Sequence, residues 1–115
     1  MRSALITAAT FAIVATAAPA FAQGAQKGEK VYTDQKCSMC HSIAGKGNPK
    51  GPLDGVGTKL SADEIRQWIV DPATMATKAN ATRKPAMSTM AAKYKALPKD
   101  DVDALVAYLQ TLKGK

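Results

Sequence analysis

The sequence predicts an all-α protein, and three observations support this fold class. Between Pro98 and Lys113, apolar residues recur at i, i+3, i+4 and i+7, the spacing of one helix face. The four residues from Ser61 to Glu64 form a capping box, the pattern that begins a helix. We find no run of alternating apolar and polar residues that would indicate a strand. Helices must therefore supply the core.

The first helix is predicted over residues 25–36, where Gly28, Val31 and Tyr32 share one face. A glycine inside a helix costs about 1 kcal/mol relative to alanine, so we expect another helix to pass close to Gly28. The closing helix is the natural partner, which would bring the two ends of the domain together. Its apolar positions are Val102, Leu105, Val106, Leu109 and Leu112.

The middle of the chain is predicted to hold one helix between two irregular segments. This helix begins after Ser61, carries Trp68 and ends or turns sharply at Asp71-Pro72. Residues 73–97 show no periodicity and are predicted to be irregular. The ring of Trp68 could close one edge of a cofactor crevice while its indole N–H donates to an acceptor, or it could be an ordinary core tryptophan.

The chemistry of the chain centres on Cys37-Ser-Met-Cys40-His41. Cys-x-x-Cys-His is the attachment sequence of c-type haem, in which two thiols bind the porphyrin and the imidazole ligates the iron. His41 is the only histidine in the chain. A redox dithiol lacks its βαβ context, a structural zinc site lacks a fourth ligand, and a disulfide over so short a loop is strained. The motif therefore predicts one covalently attached haem c with its iron.

Residues 42–59 form a loop rich in glycine and proline, and a loop of this length is often functional or wrapped around a ligand. Gly51-Pro52-Leu53 lies within reach of His41. A backbone carbonyl there could accept from the imidazole N–H and fix the ring, although turn chemistry would explain the same residues.

A methionine thioether is the expected sixth ligand, because this soft, neutral donor favours ferrous iron and raises the reduction potential. Three of the five methionines lie in the leader, inside the attachment motif or directly after the second helix. Met87 and Met90 remain. Pro85 stiffens the approach to Met87, so Met87 is favoured with Met90 as the alternative; gap-filling in the core is the other role open to both.

Residues 1–22 are predicted to be a cleaved signal peptide, and residues 23–115 a single domain. Arg2 precedes an apolar run that closes with Ala20-Phe21-Ala22, an A-x-A cleavage pattern. Retention as a membrane anchor is the alternative, but the threonines, the proline and the cleavage site favour removal, so no stable membrane insertion is expected. Because c-type haem is attached outside the cytoplasm, the predicted location is the periplasm.

The net charge of +7, or +6 without Arg2, indicates electrostatic steering toward an acidic partner or an anionic membrane face. A merely solvated lysine surface is the alternative. Nucleic-acid binding is not expected, because the chain is predicted to be exported and lacks interleaved aromatic residues. The basic residues proposed to guide docking are Lys84, Arg83 and Lys46.

The mature chain resembles a small bacterial class I cytochrome c from Gly28 through Leu112. The residues that carry the resemblance are Gly28 with Tyr32, the Cys37–His41 motif, the 51–57 loop, Trp68, the Lys84–Met87 segment and residues 105–109. Two departures stand out: Tyr32 is five residues before Cys37 where four is more usual, and the run from Met87 to the last helix is long.

The resemblance implies three to five helices wrapped around one low-spin haem, with the terminal helices crossing at Gly28 and Tyr108. It also implies that His41 and Met87 are the axial ligands, that the carbonyl of Pro52 supports His41, and that Trp68 contacts a propionate.

These residues together predict a soluble periplasmic electron carrier with no catalytic residues, which is therefore not an enzyme. It is expected to be a monomer that binds acidic surfaces of an oxidase, reductase or dehydrogenase in weak, short-lived complexes. Two alternatives remain. One is a gas-binding or peroxidatic protein with five-coordinate haem, and the other is a dedicated cytochrome subunit of a dehydrogenase or oxidase complex.

Overall fold

The computed structural model describes residue 10, residues 12–13 and residues 20–114. This part of the chain contains six α-helices, two 3₁₀-helices and a two-stranded antiparallel hairpin. They are α1 (Ala20–Asp34), 3₁₀ (Cys37–Met39), β1 (Ser42–Ile43), β2 (Lys46–Gly47), α2 (Val56–Lys59), α3 (Ala62–Val70), α4 (Pro72–Lys78), 3₁₀ (Met87–Met90), α5 (Ala91–Lys95) and α6 (Lys99–Gln110). The helical fold class is confirmed. The described residues contain six α-helices and not the three to five expected, because the short helices α2, α4 and α5 were not predicted.

The predicted leader lies outside the described residues except for residues 10, 12–13 and 20–22, the last three of which begin α1. Cleavage after Ala22 and a domain over 23–115 stay predictions. Within the described part of the chain, no helix is long and apolar enough to cross a membrane.

The terminal helices α1 and α6 cross with their backbones in contact at Gly28. A Cβ added to Gly28 would lie 2.6 Å from the carbonyl carbon of Ala104 and 2.6 Å from Cβ of Tyr108, and closer still to the Ala104 oxygen. Beside this point the rings of Tyr32 and Tyr108 pack edge to face, with centroids 5.9 Å apart. The predicted crossing at Gly28 and Tyr108 is confirmed.

Helix α3 completes the core against α6, and its boundaries follow the sequence signals. The Ser61 hydroxyl accepts from the Glu64 N–H at 3.1 Å, while the Glu64 carboxylate accepts from the Ser61 N–H at 3.1 Å. Asp71 ends α3 and also begins α4, where its carboxylate accepts from the Thr74 N–H. The buried core cluster comprises Val31, Tyr32, Ile65, Ile69, Tyr94, Val102, Leu105, Val106 and Leu109.

Two segments predicted to be irregular contain short helices and a hairpin. Helices α4 and α5 lie within residues 72–97, and β1, β2 and α2 lie within residues 42–59. Helices of four to seven residues are too short to show periodicity and are marginal in isolation, so packing must hold them. Met75 of α4 and Tyr94 of α5 are accordingly buried.

One acidic residue links α3 to α6. The Asp103 carboxylate lies 2.7 Å from Nζ of Lys99 on its own helix and 2.6 Å from Nη2 of Arg66 on α3. The hydrogen bonds from Lys99 and Arg66 lower the pKa of Asp103 below its ordinary value.

Candidate functional site

The attachment motif forms a single tight turn directly after α1. Lys36 takes a left-handed conformation (φ 56°, ψ 38°), which ends the helix and redirects the chain into the 3₁₀-helix Cys37–Met39. The carbonyl of Cys37 then accepts from the N–H groups of both Cys40 (3.1 Å) and His41 (2.9 Å). The chain between Tyr32 and Cys37 thus turns at Lys36, while Tyr32 is buried on α1.

Asn48, for which the sequence predicts no role, holds this turn from the hairpin side. Its backbone N–H donates to the carbonyls of Ser38 (3.1 Å) and His41 (3.0 Å), and its side-chain amide donates to that of Met39 (3.1 Å). A single asparagine in a glycine-rich loop gives no signal of such a role in sequence. The shape of the motif thus rests on bonds within the protein.

The ring of His41 is oriented by the carbonyl of Gly51, not by that of Pro52 as the resemblance implied. Nδ1 of His41 donates to the Gly51 oxygen at 3.1 Å. Ser42 and Pro52 form a parallel bridge in which the Ser42 N–H donates to the same Gly51 oxygen. The Gly51 oxygen therefore accepts from both the His41 ring and the Ser42 N–H. With Nδ1 occupied, Nε2 of His41 is available to a metal.

The motif forms one wall of a large cavity of about 760 Å³, within the range of cofactor-sized sites. Cys37, Cys40 and His41 line this cavity together with Met87 and Met90. Trp68 and Pro52 also line it, Trp68 half-buried and Pro52 exposed. Apolar side chains complete the lining, among them Leu53, Val56, Leu60, Ile65, Ile69, Met75, Tyr94, Leu105 and Leu109. The sequence-predicted site residues are thus brought together in one apolar cavity.

Met87 and Met90 face this cavity from the first and last positions of the second 3₁₀-helix. A 3₁₀-helix has three residues per turn, so side chains at i and i+3 lie on the same side. Both thioethers are half-buried against the core. Both methionines therefore point to the same cavity, and their positions in the sequence do not distinguish which of them is the candidate sixth ligand.

Four basic residues line the cavity, and three of them were not selected from sequence. Lys36, Lys59, Lys78 and Arg83 line it, whereas Lys46 lies on β2 beside a separate groove. These lysines come from α2, α4 and the turn after α1, segments whose placement at the cavity depends on the tertiary fold.

Burial favours the uncharged forms of the Cys37 thiol and the His41 imidazole. It raises the pKa of the Cys37 thiol to about 11, against a smaller opposing effect of Lys93. It also lowers the pKa of His41, which the hydrogen bond to Gly51 partly offsets. Neutral imidazole is the form that ligates a metal.

The Cytochrome c family model matches residues 25–113 of this chain. The match covers well over half of the chain, so the chain belongs to the cytochrome c family, and it is a class I member. The chain therefore carries covalently attached haem c, with Cys37 and Cys40 in the attachment motif. The cavity fits this group in its apolar lining, its volume and its donor set. When bound, haem c supplies an iron that changes between the ferrous and ferric states.

Among curated proteins, the chain is similar to a protein named cytochrome c2 from Rhodobacter capsulatus. The two are 58% identical over 38 residues, which is 33% of this chain and 26% of the relative. The matched segment thus spans about a quarter of that relative's length. No solved structure matches the chain significantly.

Proposed function

We propose that the protein is a periplasmic one-electron carrier in which His41 and Met87 are the axial ligands of haem c. The cavity that gathers the attachment motif and two thioethers in one apolar surround supports this proposal. With His41 and Met87 both bound to the iron, no position would be left for a substrate, which would suit the site to outer-sphere electron transfer. The protein is then a carrier and no residue acts as a catalyst.

His41 contributes a fixed orientation as well as a nitrogen ligand. The hydrogen bond from Nδ1 to the Gly51 carbonyl fixes which nitrogen carries the proton and raises the basicity of the other. Because the acceptor is a backbone carbonyl anchored to Ser42, the ring has little freedom to rotate.

Met87 is proposed as the sixth ligand because its approach is the stiffer of the two. Pro85 restricts the backbone two residues before it, so less conformational freedom is lost when the thioether binds. Met90 remains the alternative, since it shares the same side of the 3₁₀-helix.

The lysines around the cavity support transient docking of acidic redox proteins. Lys36, Lys59 and Lys78 are exposed and line the cavity, next to the proposed site of electron exchange. Charge complementarity of this kind raises association rates and is screened by salt. A carrier must also leave its partner quickly, which favours small interfaces. We propose a monomer that exchanges electrons with oxidase, reductase or dehydrogenase partners.

Export is the remaining component of the proposal, and residues 1–22 carry it through their signal-peptide pattern. The mass of protein recovered from a periplasmic extract tests it. We expect a chain that begins at Gln23 with the mass of one haem added. An uncleaved chain retained in the membrane fraction would contradict the export proposal.

Optical spectroscopy of the purified holoprotein tests the ligands, with Met87→Ala and Met90→Ala beside wild type. We expect low-spin reduced bands, no response to CO, and a weak far-red thioether-to-ferric-iron band that disappears only in Met87→Ala. Met39→Ala is the matched control, because Met39 is 69% exposed and does not line the cavity.

Loss of the far-red band in Met90→Ala, and not in Met87→Ala, would identify Met90 as the sixth ligand. A high-spin wild-type spectrum that responds to CO would contradict the carrier proposal and favour the gas-binding alternative. Size-exclusion chromatography of the native extract separates a free carrier from a subunit, because a subunit would elute with a large partner.

A further inference from the structure

Arg83 joins the segment that carries Met87 to the haem attachment motif. It stands four residues before Met87, and its Nη2 donates a hydrogen bond to the carbonyl of Cys40, 43 residues away in the sequence. Its side chain is half-buried and lines the same cavity. In the sequence, Arg83 is recognisable only as a candidate docking residue.

The guanidinium also lies directly against the backbone of Gly51. A Cβ added to Gly51 would be 2.8 Å from Cζ of Arg83, and closer to its Nη1 and to the Cys40 oxygen. Gly51 supplies the carbonyl that accepts from His41. Arg83 therefore contacts the residue that precedes His41 and the residue that orients its ring.

Arginine suits such a contact because it stays charged and its planar group presents several donors at fixed angles. A bond from a charged donor to a carbonyl is stronger than one between neutral groups. Only three residues separate Arg83 from Met87, and one is Pro85, which limits the freedom of the connection. A restraint on Arg83 therefore restrains Met87.

We propose that Arg83 is a positioning residue, a tether that holds the Met87 segment against the attachment motif and so opposes dissociation of the methionine ligand. The inference rests on the proposed His41 and Met87 ligation and adds a residue to it. In this arrangement the Arg83 to Cys40 bond breaks when the Met87 segment moves away, so its free energy adds to the cost of that opening.

The test measures how easily an external ligand displaces methionine. Oxidised holoprotein is titrated with imidazole at fixed pH, and loss of the far-red band is followed in wild type, Arg83→Gln and Arg83→Lys. A hydrogen bond from a charged group contributes about 1.5 kcal/mol or more, which corresponds to about a tenfold change in an equilibrium constant. We expect the apparent affinity for imidazole to rise about tenfold in Arg83→Gln and by less in Arg83→Lys, which retains a charged donor.

Two control variants separate the tether from charge and from general stability. Lys84→Gln removes the same charge one residue further along the chain. Lys113→Gln removes a charged donor to a backbone carbonyl elsewhere, that of Gly57 at 2.9 Å. We expect imidazole affinity close to wild type in both, with the free energy of unfolding in urea lowered in Lys113→Gln.

Unchanged imidazole affinity in Arg83→Gln would overturn the tether while leaving the proposed ligation intact. An equal rise in Lys84→Gln would also overturn it, because the effect would then come from charge alone. A wild-type protein without the far-red band would overturn the methionine ligation itself, and the tether with it.

Discussion

Replacement of Gly28 by alanine tests the contact that joins the two ends of the fold. The new Cβ would overlap the carbonyl group of Ala104 and lie 2.6 Å from Cβ of Tyr108, well inside van der Waals contact. These atoms belong to the backbone of α6 or are fixed to it, so no side-chain rotation relieves the overlap. The helices must move apart, which loosens the packing of Val31 and Tyr32 against α6.

The expected loss of stability follows from two opposing effects. Overpacking of a core contact costs about 1 to 3 kcal/mol, and a backbone overlap belongs at the upper end of that range. Alanine recovers about 1 kcal/mol over glycine through its helix propensity. The net destabilisation is therefore about 2 kcal/mol, which lowers Tm by about 8 to 16 °C in a domain of this size.

Thermal unfolding of the holoprotein, followed by circular dichroism, measures this shift. Gly24→Ala is the matched control, because its Cβ would lie 3.6 Å from Cβ of Ala107, an ordinary contact on the same pair of helices. We expect Tm of Gly24→Ala to equal or exceed that of wild type. A Gly28→Ala protein with Tm at or above the wild-type value would refute the reasoning, because α1 and α6 would then not touch at this residue.

Three further substitutions probe the site and the pH limits of the fold. Gly51→Ala places a methyl group against Arg83 and the attachment turn, so we expect less haem incorporated per chain and a lower Tm, measured by absorbance and calorimetry. The pKa of Asp103 is lowered in the fold by its two basic partners, so its contribution is present above the ordinary value of 3.8 and is lost as pH falls through the folded value. Urea unfolding should therefore show wild type more stable than Asp103→Asn at neutral pH, with the difference vanishing in acid; a constant difference would refute the ion pairs with Lys99 and Arg66 as its source. Burial raises the pKa of Tyr32 from 10.0 to about 12, so the fold should lose stability across that interval as the unfolded chain ionises first. Thermal unfolding of Tyr32→Phe across the same pH range should show a smaller loss of stability, because phenylalanine does not ionise. An equal loss of stability in wild type and Tyr32→Phe would contradict the assignment to Tyr32.

The helices that the sequence predicted correctly are those whose signals are local. The capping box at Ser61 and the apolar stripe of α6 each depend on residues within a few turns of one another. Helix α4 has a local start signal in Asp71 and Pro72, which the sequence indicated only as the end of α3, whereas α5 has none. Both helices are short and are ordered by burial of Met75 and Tyr94 against distant parts of the chain.

Within the site, too, some features follow from local sequence and others only from contacts between distant residues. The cysteines and His41 are read from sequence because their chemistry requires fixed spacing along the chain. The hydrogen bond from His41 goes to Gly51 because a bridge between Ser42 and Pro52 sets which carbonyl faces the ring. No feature of the loop sequence distinguishes Gly51 from Pro52 as the acceptor.

The sequence by itself determined the all-α fold class and the haem attachment motif, and it predicted the two methionines proposed as candidates for the sixth ligand. These features depend on residues close together along the chain, so that the spacing of the residues is enough to predict them. The tertiary structure decided which residues meet across long separations: Gly28 with Ala104, Arg83 with Cys40, and the three lysines that line the cavity. Such contacts depend on the packing of whole helices, and packing is a property of the folded chain as a unit.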